Sequence, residues 1–244
     1  MKLIIDIGNT CSKLAVFEKG GIILLETTGE LAPTYLSDLL EKFPEIHSSI
    51  ISGVKPYDEN INTILKSKTR FFQLDSRARL PFRVLYKTPG TLGKDRIAAV
   101  AGAMELYPGN NVLVIDAGTC ITYDILTSGN EYLGGAISPG IMMRFKSLNT
   151  FTGNLPLIQP EYEQNIEVVG NSTKNSILSG VQKAVVAEVE GMIEDYKNRF
   201  PGLKIIITGG DYKYFDRSLK NNIFAAPNLV LTGLNKILDF NEKN

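Results

Sequence analysis

Two apolar runs in this chain stop at an aspartate. Leu3-Ile4-Ile5 leads to Asp6 and then to the small-residue stretch Gly8-Asn9-Thr10. Val112-Leu113-Val114-Ile115 leads to Asp116 and then to Gly118-Thr119. Each reads as a buried strand that delivers a carboxylate into a tight turn. Beyond the turns, Lys13, Ala15 and Phe17 in the first copy and Thr122, Asp124 and Leu126 in the second keep a two-residue alternation that ends at a glycine. The pattern predicts two β-hairpins, each with its Asp near the end of the first strand. They lie about half a chain apart, too far for a solenoid repeat, which suits two similar α/β halves facing each other.

The remaining pattern alternates strands and helices. "SIISGV" (49–54) and "LKIIIT" (203–208) are short, β-branched and bounded by glycine, as buried parallel strands are. "DRIAAVAGAMELY" (95–107) predicts a helix whose first turn carries an acid. Ser172 or Thr173 is placed to cap a long helix to about Arg199. Its stripe is Ile177, Val181, Val185, Val189 and Ile193, and Pro201-Gly202 stops it. "NLVLTGLNKILDF" reads as a strand end or turn before a closing helix, and 149–160 as an irregular crossing between halves. The halves divide at 1–110 and 111–244.

Composition narrows the chemistry. Of 244 residues 43% are hydrophobic, enough for a sizeable core. Twenty-six basic residues balance twenty-six acidic ones, so no broad field points to nucleic acid or an anionic membrane. Anions must then be bound by local devices. No apolar run nears the length of a membrane helix, and the start meets Asp6 too early for a secretory leader, so a soluble cytoplasmic protein is expected. Two cysteines, Cys11 and Cys120, and one histidine, His47, do not make a four-ligand zinc site. His47 is expected at a solvated surface. The cysteines follow turn threonines, where small buried side chains fit.

An Asp at a strand end before a Gly-rich turn can hold a cation while the turn's N–H groups and hydroxyls take a phosphate. Two such turns would clamp a polyphosphate, with Lys13 within reach of it. The Walker and dinucleotide glycine patterns are absent. In "TLGKDR", Gly93, Asp95 and Arg96 open the Ala-rich helix. Asp95 is a candidate general base toward an alcohol, and Arg96 a candidate bidentate partner for a carboxylate.

"DIGNTCSK", "GKDR", "DAGTCITYD" and "GGAISPG", in that order, resemble the type III pantothenate kinases of bacteria. "NTFTGNLP", "GNSTKNSILSG" and "ITGGD" follow in family order, so the likeness spans the chain. It implies the actin-like ATPase (ribonuclease H-like) fold, two halves facing a nucleotide cleft, and ATP-dependent phosphorylation of pantothenate at the first step of coenzyme A synthesis. By position, Asp6, Gly8, Asn9, Thr10 and Lys13 form the first phosphate loop, with Asp6 holding Mg²⁺ through water. Asp95 matches the catalytic base. Tyr86, Gly93, Lys94, Arg96 and Thr173 match substrate contacts. Asp116 matches the ligand of a monovalent cation (K⁺ or NH₄⁺), Gly118 and Thr119 phosphate contacts, and Gly209-Gly210 the approach to the adenosine. Leu92 stands where the family often has Tyr and reads as packing. The resemblance also implies a homodimer. A kinase for another carboxylate-bearing alcohol, or a non-catalytic regulator on the same fold, are the alternatives, and the three acids Asp6, Asp95 and Asp116 speak against the regulator.

Overall fold

The structure, a computed structural model, describes residues 1–75, 77–163 and 165–243. The first elements are β1 (Lys2–Ile7), β2 (Ser12–Glu18), β3 (Gly21–Thr28), α1 (Pro33–Lys42), β4 (Ser48–Gly53), α2 (Asn60–Lys68), β5 (Arg70–Gln73), β6 (Arg83–Val84) and α3 (Lys94–Leu106). Then come β7 (Val112–Ala117), β8 (Cys120–Leu126), β9 (Glu131–Pro139), α4 (Ile141–Phe151), α5 (Thr173–Leu178), a π-helical turn (Ser179–Lys183) and α6 (Ala184–Arg199). The chain ends with β10 (Lys204–Thr208), α7 (Tyr212–Ser218), β11 (Phe224–Ala225) and α8 (Leu229–Glu242).

The internal repeat is real at the level of strand order. One sheet runs β3-β2-β1-β4-β5, and the other β9-β8-β7-β10-β11, with β6 added beyond β9. In each, the Asp-bearing strand is central, antiparallel to the next strand in sequence and parallel to the strand that returns after a crossover. A central strand covered on both faces has to be apolar throughout, and Leu3 to Ile5 and Val112 to Ile115 are fully buried. Past Lys2 at the start of β1, the polar exception is the fifth residue of each strand, Asp6 or Asp116, where the strand leaves the core.

Two compact units result. The first holds 1–109, 129–133 and 228–244; the second holds 110–128 and 134–227. The first long segment of the first unit ends at Gly109, and the closing helix α8 belongs to that unit as well. It packs along α3, where Gly102 and Gly233 let the two backbones meet. A Cβ on Gly233 would lie 1.7 Å from the Ala98 carbonyl, and one on Gly102 2.4 Å from that of Leu229. The stretch expected as a crossing between halves, 149–160, lies wholly in the second unit, partly as the end of α4. Of the two readings of "NLVLTGLNKILDF" the turn holds: Asn228 lies in a turn and α8 starts directly after it.

In the second unit the expected long helix forms in three pieces: α5, the π-turn and α6. Ser172 caps it, its side chain accepting from the Asn175 amide at 3.2 Å. All five stripe residues are buried against Leu113, Ile115, Ile121, Tyr123, Ile205 and Ile207. Among the described residues no helix is long and apolar enough to cross a membrane.

Candidate active site

In the first unit, β1 places Asp6 opposite Lys13 of β2 and beside Ser52 of β4. The chain then turns, and the Gly8 amide donates to the Cys11 carbonyl at 3.1 Å. Asn9 and Thr10 at the tip are exposed, and Lys55 Nζ donates to the Asn9 carbonyl at 3.3 Å. Ser52 is fully buried, yet its Oγ has no hydrogen-bond partner among the described residues. An orphan hydroxyl of this kind costs about 1–3 kcal/mol unless a water or ligand satisfies it. A carboxylate, an ammonium and an unsatisfied hydroxyl at one strand end fit a hydrated Mg²⁺ carrying phosphate.

The second unit repeats the device. Asp116 stands opposite Thr122 of β8 and beside Thr208 of β10. The Gly118 amide donates to the Cys120 carbonyl at 2.9 Å. Both cysteines are thus fixed through their carbonyls, and their side chains are half-exposed thiols rather than core residues. Gly209 follows β10 with φ +94°, and a Cβ there would lie 2.5 Å from Asp116 Oδ1. The next turn is tied down by the Asp211 amide donating to the Ala117 carbonyl at 2.9 Å. Asp116, Gly118 and Gly209 are brought together, with Thr119 and Gly210 beside them in the chain. Their bare backbone and oxygen donors fit a monovalent cation beside a phosphate.

Three features here escaped sequence reading. Gly140 backs the second turn so closely that a Cβ would lie 2.1 Å from the Gly118 carbonyl; the Pro-Gly of "GGAISPG" was its only trace. Asp124 is a fully buried carboxylate that accepts from Thr122 Oγ1 at 3.1 Å. Asp211 accepts from the Tyr162 hydroxyl at 2.7 Å. Burial pushes the Asp211 carboxyl above its ordinary value, against that hydrogen bond. Burial, and then Asp211 itself, raise Tyr162.

The first-unit residues expected to contact substrate lie at and near the start of α3. Asp95 Oδ1 accepts from the Arg96 amide at 2.8 Å, and a Cβ on Gly93 would lie 2.5 Å from that same oxygen. Gly93 is therefore what lets Asp95 take its place. Arg96 is only 6% exposed, not a solvated helix residue. Its guanidinium lies 5.8 Å from the ring centre of Tyr86, which stacks on Tyr132 at 6.3 Å. An aromatic wall fixes a planar fork, the geometry that suits a carboxylate. Leu92 is buried, as its packing role required. Thr173 begins α5 in the second unit and is exposed. His47 is exposed, its Nδ1 2.6 Å from Ser48 Oγ.

Two sheets of one strand order, each ending its central strand in an Asp-turn, define the actin-like ATPase and sugar-kinase class. A glucokinase from an Antarctic psychrotroph shares this fold, with a TM-score of 0.53 at 13% identity over 98% of each chain. So does a Campylobacter jejuni structure described as a Baf family transcriptional activator, with a TM-score of 0.63 at 23% identity over 99% of this chain and 100% of that one. A family model described as type III pantothenate kinase matches residues 2–195. A type III pantothenate kinase of Christiangramia forsetii is 49% identical over 245 residues, covering 99% of both chains. The chain belongs to the type III pantothenate kinase family.

Proposed function

We propose that this chain transfers the γ-phosphoryl group of ATP to the primary hydroxyl of pantothenate. The product is 4'-phosphopantothenate, and the step opens coenzyme A synthesis. The observation that carries the reading is Asp95 beside a buried Arg96 stacked on Tyr86, within a chain of this family. Asp95 takes the proton of the attacking hydroxyl. Arg96 pairs with the pantothenate carboxylate, Tyr86 packs along the substrate's carbon frame, and Gly93 and Lys94 form the turn beneath it. Thr173 supplies a further hydroxyl contact.

Lys13 and the backbone of Gly8, Asn9 and Thr10 receive phosphate, as do Gly118 and Thr119. Gly210, with open space where a Cβ would stand, admits the nucleoside beside Gly209. Asp6 would hold a Mg²⁺ and Asp116 a K⁺ or NH₄⁺, and these ions would supply charge neutralisation for the phosphates. The enzyme works in the cytoplasm, where ATP is supplied, as a homodimer. Exposed Phe151, Val168 and Val169 in the second unit support the dimer.

The test is ADP release by purified protein with ATP, Mg²⁺, K⁺ and a panel of alcohols. Release with pantothenate alone is expected. Release with other hydroxy acids but not pantothenate moves the substrate, and release with none moves the protein to regulation.

A further inference from the structure

We propose that Asp124 is a positioning residue that turns the Thr122 hydroxyl into an oxygen ligand for the monovalent cation at Asp116. The proposal rests on the cation reading of Asp116 given above.

Asp124 needs an explanation because it is 0% exposed in the middle of β8. A carboxylate taken wholly out of water costs several kcal/mol before its partners are counted, and an apolar residue would serve packing better. Strand alternation separates its face from its neighbours'. Tyr123 turns into the core under α6, while Thr122 and Asp124 share the other face. On that face Thr122 stands directly opposite Asp116 in the register of β7 and β8. Residues so paired have Cβ atoms about 4.5–5.5 Å apart, so one ion between them can touch both side chains.

The direction of the Thr122–Asp124 bond gives the site its polarity. A threonine hydroxyl has one proton and two lone pairs, and an ionised carboxylate only accepts. At 3.1 Å from Asp124 Oδ2, the Thr122 proton is committed to Asp124. Lone pairs are what remain for the Asp116 side. Two acceptors that face each other repel unless a cation or a donor lies between them. Gly118 and Gly209 flank Asp116 Oδ1 with bare backbone, and side chains at those positions would put a Cβ 3.9 and 2.5 Å from it. Asp124 thus acts through Thr122, as outer groups orient metal ligands elsewhere.

The experiment follows melting temperature and initial rate against KCl, with tetramethylammonium chloride holding ionic strength constant. Cation binding raises the melting temperature of wild type with a half-saturating K⁺ concentration that can be read without turnover. Thr122→Val is expected to raise that concentration about 10-fold or more, the usual size for lost coordination support, and Thr122→Ser to restore it. Asp124→Asn is expected to move it the same way, because its amide no longer compels the threonine to donate. A merely structural Asp124 would lower the melting temperature equally at every KCl concentration. Wild-type half-saturation in both Thr122→Val and Asp124→Asn overturns the proposal. If Asp124→Asn does not fold, the valine and serine pair decides alone. A wild type indifferent to K⁺ overturns the cation reading of Asp116 itself, an outcome distinct from a responsive wild type with unresponsive variants.

Discussion

Asp95 Oδ1 is held by the amide of its own neighbour, which leaves Oδ2 for a substrate hydroxyl. Asp95→Asn keeps an oxygen for that amide, so the fold and ATP binding should survive while kcat falls. A lost general base costs about 10²–10⁴ in rate, and a loose phosphoryl-transfer transition state favours the lower end. Turnover within about threefold of wild type would reduce Asp95 to a helix cap. Arg96→Lys replaces a fork held against Tyr86 by a point charge. The KM for pantothenate should rise about 10-fold with that for ATP little changed; equal rises would move Arg96 out of the substrate pocket. At this scale the sequence was uneven. The two Asp-turns were legible because they repeat and end apolar runs. The burial of Arg96 was not, because an Arg in a first helical turn beside an acid reads equally well as solvated. Arg96 lies over Tyr86, and Tyr86 stacks on Tyr132, a residue distant in the chain that the pairing of β6 with β9 brings alongside.

The helix from Thr173 to Arg199 shows what periodicity reveals and what it hides. Its stripe advances four residues at every step, whereas an α-helix turns every 3.6, so each step drifts by about 40°. A wider π-turn at Ser179–Lys183 offsets part of that drift and keeps Ile177 and Ile193 on the same core. The strict spacing of four was the legible sign of the π-turn, and an α-helical reading passes over it. Packing of α3 on α8 was not legible, because neither Gly102 nor Gly233 sits in a turn. Gly233→Ala drives a methyl into the Ala98 carbonyl, and unfolding in urea should show a loss of about 2–4 kcal/mol. Gly191→Ala, in open space on α6, should instead gain about 0.5–1 kcal/mol. If both variants behave alike, the close approach of the two helices is refuted. The far end of α8 is held to β1 by Lys2, which pairs with Asp239 and, at 2.9 Å, with Glu242. Burial pushes Glu242 up, but hydrogen bonds from Ser48 and Lys2 and the Lys2 charge outweigh it and hold its carboxyl low. A lowered carboxylate contributes stability above its unfolded pKa, about 4.3, and loses it as pH falls through the folded value. Glu242→Gln should therefore cost about 0.5 kcal/mol at pH 7, after solvent screening, and nothing once pH lies below both values. A difference that persists in acid would point to packing instead of charge.

For the whole molecule, a neutral chain built of two like sheets was legible, but the allocation of its last helix was not. The return of α8 to the first unit depends on contacts with α3 and β1 that no local pattern announces. Nor does the hydrophobic pattern say which apolar residues stay outside. Phe151 is 85% exposed, Val169 83% and Val168 70%, all in the second unit. Single exposed apolar residues are ordinary, whereas large ones gathered in one patch are what a partner protein covers. We expect a second copy of this chain to cover them. Light scattering at micromolar concentration should give twice the chain mass of 26.9 kDa. The double variant Phe151→Glu, Val169→Glu puts like charges where the copies meet, and desolvating them costs several kcal/mol, enough to shift the equilibrium to single chains at the same concentration. Both substitutions replace exposed side chains, so the melting temperature of the separated chain should change little beyond the loss of dimer stabilisation. If the dimer also completes the substrate pocket, turnover falls in proportion to the dimer lost and returns as protein concentration is raised. A wild-type chain that scatters as a monomer at micromolar concentration removes the dimer and the shared pocket together. A double variant that stays dimeric keeps the dimer and moves its interface off these residues.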